Sequence, residues 1–129
     1  MFHIGITGSR NPVEDGRLKD LRSVLASYGH NNTTLHHGDC LGVDTHAHHI
    51  AITYGFIIHV HPPSNSIHRA WNIGDIMSKE KPYLARNKDI VSASYILIAL
   101  PSSRTEHLRS GSWATIRYAR KKGIEVIIL

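Results

Sequence analysis

The chain has little cysteine, no long apolar run and few acids. Its one cysteine, Cys40, excludes an internal disulfide and suits a reducing compartment. No apolar stretch approaches the roughly 18 residues that a membrane-spanning helix needs, so no membrane partner is expected. Nor does the start read as a secretory signal: it has no basic stretch, His3 interrupts the apolar residues, and strand-type residues begin at once. The expected location is the cytoplasm. Aromatics make up 7% of the chain and do not interleave its basic segments as a single-strand-binding groove requires, although Trp71, Tyr83, Trp113 and Tyr118 are each able to stack on a base.

Ten acids face 15 Lys and Arg, for a net charge of +5, and the balance is uneven: from Ile67 onward there are 11 of the basic residues and 5 of the acids. A basic half attracts anions, whether small molecules or nucleic acid. Part of it, Arg120 to Lys122, falls at a helix end, where cations suit the helix dipole. A chain of 129 residues is the size of one domain burying roughly two-thirds of its unfolded surface, and residues 1–129 are read as one domain.

The periodicity predicts five strands and four helices. Strands are expected at about Phe2 to Thr7, Thr33 to His37, Phe56 to His61, Tyr95 to Leu100 and Glu125 to Leu129. Helices are expected at about Glu14 to Tyr28, Asp44 to Tyr54, Tyr83 to Ala93 and Ser112 to Lys122. Asp44 reads as an N-cap, and Gly29, Gly55 and Gly123 as left-handed caps between helix and strand. Runs such as YILIAL and EVIIL are continuously apolar, the mark of parallel strands covered on both faces. The expected architecture is a Rossmann-like α/β/α three-layer sandwich with a five-stranded parallel sheet in the order 3-2-1-4-5 and a cleft between the ends of the first and fourth strands. The irregular stretch from Pro62 to Pro82 is long enough to read as a functional excursion or a mobile flap.

Three apolar runs stop in Gly/Ser-rich loops that precede helices: IGITGSR, LHHGDCLGVD and the stretch that closes in RSGSWAT. In a parallel sheet these loops share the carboxyl edge, where backbone N–H groups and helix N-termini hold anions. Gly8 and Ser9 permit a tight turn with the Ser9 hydroxyl and N–H toward a phosphate or ribose, and Arg10 supplies a charge-assisted clamp. Gly38 and Gly42 suit close approach of backbone to a ligand, and Asp39 suits ribose hydroxyls. Ser110, Gly111, Ser112 and Thr115 open the last helix as a phosphate cradle.

The series GITGSR, GDCLGVDTHAHHIA, YGFIIHVHP, the Arg86-Asn87 pair in YLARNKDIVSASYILIALP, and SGSWATIRYARKKGIEVIIL resembles the SLOG superfamily of nucleotide-binding Rossmann-like domains across nearly the whole chain. It is most similar to the YspA-like group. The resemblance implies that Arg86 contacts the substrate phosphate or assists the chemistry, that Asn87 beside it binds the ligand, and, since pairing through an exposed helix face is common in these relatives, that a homo-oligomer is possible. Relatives include Lonely-Guy-type phosphoribohydrolases, which cleave the N-glycosidic bond of nucleoside 5′-monophosphates, DNA-processing protein A, which binds single-stranded DNA, and sensors of signalling nucleotides. The hydrolases carry Pro-Gly-Gly-x-Gly-Thr-x-x-Glu, and here the position of that Glu is Tyr118. Glycosidic cleavage normally needs a carboxylate; the candidate replacements are Glu106, Asp39, Asp44 and Asp89, of which the first three rank ahead in that order.

Eleven histidines raise the question of a metal. His46 and His49 lie three apart on one helix, and His59 and His61 share a strand face near Asp39 or Cys40. No recognised zinc spacing appears, so the imidazoles are read as structural, with no metal and no cofactor. His36, His37 and His61 near strand ends are alternatives as general acid or base. The reading is a protein that binds a nucleotide or other phosphate-bearing ligand, with hydrolysis of a nucleoside 5′-monophosphate open. The alternatives are a non-catalytic sensor or sequestering module, or a single-stranded nucleic-acid binder, which ranks behind the small ligand.

Overall fold

The computed structural model describes residues 1–29 and 32–129. The elements in chain order are β1 (Phe2–Gly8), α1 (Asp15–Ser27), β2 (Thr33–His37), α2 (Val43–Thr53), β3 (Ile57–Val60), β4 (Ile76–Met77), α3 (Tyr83–Ala93), β5 (Ile96–Leu100), α4 (Gly111–Lys121) and β6 (Glu125–Ile128). They build one parallel sheet in the order β4-β3-β2-β1-β5-β6. The five expected strands occupy the expected order. The sixth, β4, adds to the outer edge, with His59 opposite Ile76 and Val60 opposite Met77. Its two residues are both exposed, too short a piece to show any alternation.

The run Ile96–Leu100 is buried throughout, whereas the run at Glu125–Ile128 forms an edge strand and is only partly covered. Ile4, Ile6, Leu35, Ile58 and Val60 pack with Leu21 and Leu25 of α1 and with Val43, Ala47 and Ala51 of α2. On the opposite face Leu97 and Ala99 meet Val91 of α3 and Trp113, Ile116 and Ala119 of α4. The result is three layers, with α1 and α2 on one side of the sheet and α3 and α4 on the other. Gly55 and Gly123 take φ of +78° after their helices, whereas Gly29 takes no such conformation.

Two further expectations change. Asp44 is not the cap of α2: Gly42 holds that position, and Asp44 sits in the first turn. The excursion from Pro62 to Pro82 is docked rather than a free flap. Besides β4 and a 3-10 turn at Ser66–His68, Leu41 N–H donates to His68 O at 2.9 Å and Ala70 N–H to Asp39 O at 2.8 Å. Asp75 accepts from Ile58 N–H at 2.8 Å.

Candidate functional site

β1 lies centrally between β2 and β5, so the chain leaves the sheet in opposite directions on either side of it and the loops after β1 and β5 part. The cleft they leave has a volume of about 720 Å³. Its walls are the β1–α1 loop (Gly8, Ser9, Arg10, Asn11), the start of the β2–α2 loop (Gly38, Cys40) with Asp44, the α3 face (Tyr83, Arg86, Asn87), and the β5–α4 loop into α4 (Ser102, Ser103, His107, Arg109, Ser110, Gly111, Ser112).

Most of the residues that the sequence singles out meet here, but several do so with different duties. Ser9 N–H donates to Leu100 O at 2.9 Å, so it is not free for a ligand. The Ser9 hydroxyl oxygen accepts from Asn11 N–H at 3.0 Å and from Ser102 Oγ at 2.9 Å, which ties the two walls together. Arg10 is exposed at the rim. Arg86 is buried, and its Nη1 donates to the carbonyls of Gly38 and His61, the latter at 3.0 Å, while Nε donates to Asn87 Oδ1 at 2.7 Å. Arg86 thus pins α3 across the ends of β2 and β3 and lines the cleft at the same time. A Cβ on Gly38 would lie 2.5 Å from the guanidinium carbon, so this glycine makes room for Arg86 rather than for a ligand.

Gly42 likewise serves the protein. Its φ of +88° excludes other residues without strain, and a Cβ there would lie 2.4 Å from Ser9 O; Val43 N–H closes the contact by donating to Ser9 O at 2.9 Å. It does not line the cleft. Thr115 is also outside the cradle: its hydroxyl donates back to Gly111 O at 3.0 Å inside α4. The cradle itself consists of Ser110, whose Oγ caps α4 by accepting from Trp113 N–H at 3.2 Å, and of Gly111 and Ser112, whose N–H groups begin the helix and have no intrahelical acceptor.

The three candidate carboxylates separate. Asp39 is fully buried with φ of +56° and points away from the cleft. Its Oδ2 accepts from Arg69 Nε at 3.0 Å and its Oδ1 from Asn72 N–H at 2.8 Å, so it anchors the docked excursion. Glu106 is exposed and paired with Arg117 at 2.9 Å, outside the cleft lining. Tyr118, at the position of the hydrolase Glu, lies between Lys88 and Lys122 and not in the cleft. Asp44 alone of the three reaches it. Its Oδ2 accepts from Gly38 N–H and Cys40 N–H, each at 3.2 Å, and burial outweighs the nearby Arg86 to raise its pKa to about 6.

The strand-end histidines lie behind the cleft. His37 Nδ1 accepts from Asp39 N–H at 2.9 Å, which leaves Nε2 to donate to His48 Nδ1 at 2.9 Å. Burial first, and neighbouring imidazoles second, lower the pKa of His36, His37 and His61 to about 3. They are neutral at physiological pH and line no part of the cleft. Burial raises the pKa of the Cys40 thiol, so Cys40 is not an activated nucleophile.

Asn11, Ser102, Ser103, His107 and Arg109 line the cleft without having been singled out in the sequence. The available signal was their place in the same loops, just after GSR and just before SGSW. Of the aromatic candidates, Trp71 lies under Arg69 at 3.9 Å, Trp113 is buried with Nε1 donating to Ser103 O at 2.9 Å, and Tyr83 is the half-exposed ring in the cleft.

No family model matches the chain, and no curated protein matches it. Solved structures do. The molybdenum cofactor binding protein of Rippkaea orientalis superposes with a TM-score of 0.73 at 25% identity, covering 98% of this chain and 75% of that one. DNA processing protein A of Streptococcus pneumoniae gives 0.74 at 20% identity over 99% of this chain and 50% of that one. The Helicobacter pylori protein of the same name, whose single-stranded DNA binding mode was the subject of its structure, gives 0.70 at 20% over 98% and 64%. The chain therefore spans half the length of the pneumococcal protein. Strand order, the cleft at the β1/β5 divide and these superpositions show a Rossmann-like fold shared with these proteins, the fold that the resemblance to the SLOG superfamily implied.

Proposed function

We propose that residues 1–129 form one domain that binds a nucleotide or a similar phosphate-bearing small molecule in the β1/β5 cleft. One observation carries the reading: the N-terminus of α4 and the side chains of Arg10, Arg86 and Arg109 face one cavity of about 720 Å³, within the roughly 300–1,000 Å³ common for small-molecule sites. The phosphate sits at Ser110, Gly111 and Ser112, where the helix dipole and free N–H groups favour negative charge. Arg10 and Arg109 supply charge-assisted bonds from the rim, and Tyr83 offers the flat surface for a base or a pterin. Arg86 and Asn87 form the floor.

Because Arg86 also holds α3, its removal confuses binding with folding, and the exposed arginines make the cleaner test. Calorimetry with adenosine 5′-monophosphate and adenosine, or with the best pair from a thermal-shift screen, should show a loss of at least about tenfold for the phosphorylated ligand in Arg10→Ala/Arg109→Ala, with little change for the nucleoside. Equal losses for both, or none, would refute the cradle.

A second reading, hydrolysis of the N-glycosidic bond, is favoured by Asp44. It is the one carboxylate among the described residues of the cleft wall, and a pKa near 6 suits a proton donor. Chromatographic detection of free base with the parent protein and its disappearance in Asp44→Asn would establish it. No base release from any mononucleotide leaves a carrier or sensor. Single-stranded DNA binding ranks third, and a steep fall of affinity with salt would raise it.

A further inference from the structure

The face of the sheet opposite α1 and α2 carries a second chemistry, independent of the cleft. His36 on β2 lies opposite His59 on β3. His61 follows two positions later on the same side and extends the ladder by donating its N–H to His37 O at 2.8 Å. Three imidazoles thereby meet: one nitrogen from each of His36, His59 and His61 lies within 4.8 Å of the other two. Two alternate residues of one strand and one residue of its neighbour form a rigid base for a three-histidine metal site.

We propose that His36, His59 and His61 bind a divalent transition-metal ion of the zinc type. His36 Nδ1 and His61 Nε2 are 2.9 Å apart and share a proton. Two nitrogens each about 2.05 Å from a tetrahedral ion lie about 3.3 Å apart, so the ion replaces that proton with an opening of about half an ångström, by side-chain rotation alone. The rings of His59 and His61 are stacked nearly parallel with centroids 4.1 Å apart, so the His59 ring turns about its side-chain bonds to bring its nitrogen to the same ion.

The supporting groups are already in place. His3 Nδ1 lies 2.8 Å from His36 Nε2, so a His36 that coordinates through Nδ1 keeps its proton on Nε2 and donates it to His3, the kind of outer hydrogen bond that orients a metal-bound imidazole. Ser78 Oγ, 2.6 Å from His59 Nε2, fixes that ring. His59 is half-exposed, which gives an entry path, and His36 and His61 are buried. Three protein ligands leave a fourth position for water or an anion. The nearest cations, Arg86 and Lys81, act on His61 through space. Lys81 is offset by Asp89 at 2.6 Å, and the remaining positive charge favours an anionic fourth ligand.

The test is titration of chelator-treated protein with Co²⁺, followed through its visible d–d absorption, with Zn²⁺ as competitor. The expected result is one equivalent bound with the strong bands of four-coordination, displaced by Zn²⁺. Affinity should fall at least about tenfold in His59→Ala and stay as in the parent in His46→Ala/His49→Ala, which removes exposed imidazoles. The absence of stoichiometric binding, or His59→Ala binding as tightly as the parent, overturns the proposal. Should His59→Ala fail to fold, ¹⁵N-labelled parent protein decides: Zn²⁺ must move the ring signals of His36, His59 and His61, and shifts confined to other histidines overturn it. Neither outcome depends on what the cleft binds.

Discussion

Replacing Asp39 separates a structural anchor from a ligand-binding residue. Both carboxylate oxygens are engaged, with Arg69 Nε at 3.0 Å and Asn72 N–H at 2.8 Å, and the paired side chains are 0% and 9% exposed. Removing one partner of a buried pair costs roughly 3–5 kcal/mol, because the other charge stays behind. Arg69 keeps Glu80 at 2.6 Å and the lower half of the range applies, so Asp39→Ala should lose about 3–4 kcal/mol. For a chain of 129 residues with an unfolding entropy of roughly 2.1 cal/mol/K per residue, that is a drop of about 11–15 °C in Tm. Asp39→Asn retains an acceptor for Asn72 N–H and a residue type that tolerates positive φ, and should lose about half as much. Thermal unfolding read by circular dichroism gives the magnitude. Trypsin gives the place, since the excursion released from its anchor should be cut at Arg69 and Lys79 before the rest of the chain. A parent-like Tm and cleavage pattern together with lost nucleotide binding would refute the reasoning and return Asp39 to the ligand.

Gly42→Ala forces a Cβ to 2.4 Å from Ser9 O at φ of +88°; strain and clash together should cost at least about 3 kcal/mol, read as a lowered urea midpoint, and a neutral result would mean that the two loops move apart freely. Asp44, with its pKa raised from 3.8 to about 6, keeps a proton in the folded state that the unfolded chain releases between those values, so its contribution to stability is greatest below pH 4 and falls as pH rises through 6. Asp44→Asn removes that dependence. The stability of the variant minus that of the parent should therefore rise by about 2 kcal/mol between pH 4 and pH 7, measured by urea unfolding of both proteins so that other titrating groups cancel, and a flat difference would show that Asp44 is solvated. The paired loss of nucleotide affinity in Arg10→Ala/Arg109→Ala, with nucleoside affinity kept, is the corresponding prediction for the cleft.

What could be read from the sequence was what repeats locally. Apolar runs such as Ile96 to Leu100 and the helical stripe through Leu18, Leu21 and Leu25 announced strands, helices and, through the parallel-sheet rules, the strand order. Loops at the carboxyl edge followed from that order, which makes Ser9, Arg10 and Ser110 to Ser112 legible as cleft residues; Arg86, on α3, is legible only through the family resemblance. Side-chain direction in those loops was not legible. Nothing near Asp39 in the sequence says that its partners stand at Arg69 and Asn72, or that Arg117 holds Glu106 away from the cleft. β4 escaped notice because two residues carry no period. The meeting of His36 with His59 and His61 depends on strand register, which spacing along the chain does not encode.

The joint between β1 and β5 gives the cleft a further property. The strands up to β4 lie on one side of that joint and those from β5 onward on the other, and two helices cross it: α3 reaches back over β1 and β2, and Arg17 of α1 donates to Leu129 O at 2.7 Å. The Ser9–Ser102 hydrogen bond spans the same joint at its open end. A molecule lodged between Arg10 and the start of α4 grips both halves of the sheet, so its binding energy also resists their separation. Occupancy of the proposed site would then be recorded in the lifetime of the folded chain as a whole, and the quantity of intact protein in a cell would follow the supply of any such molecule.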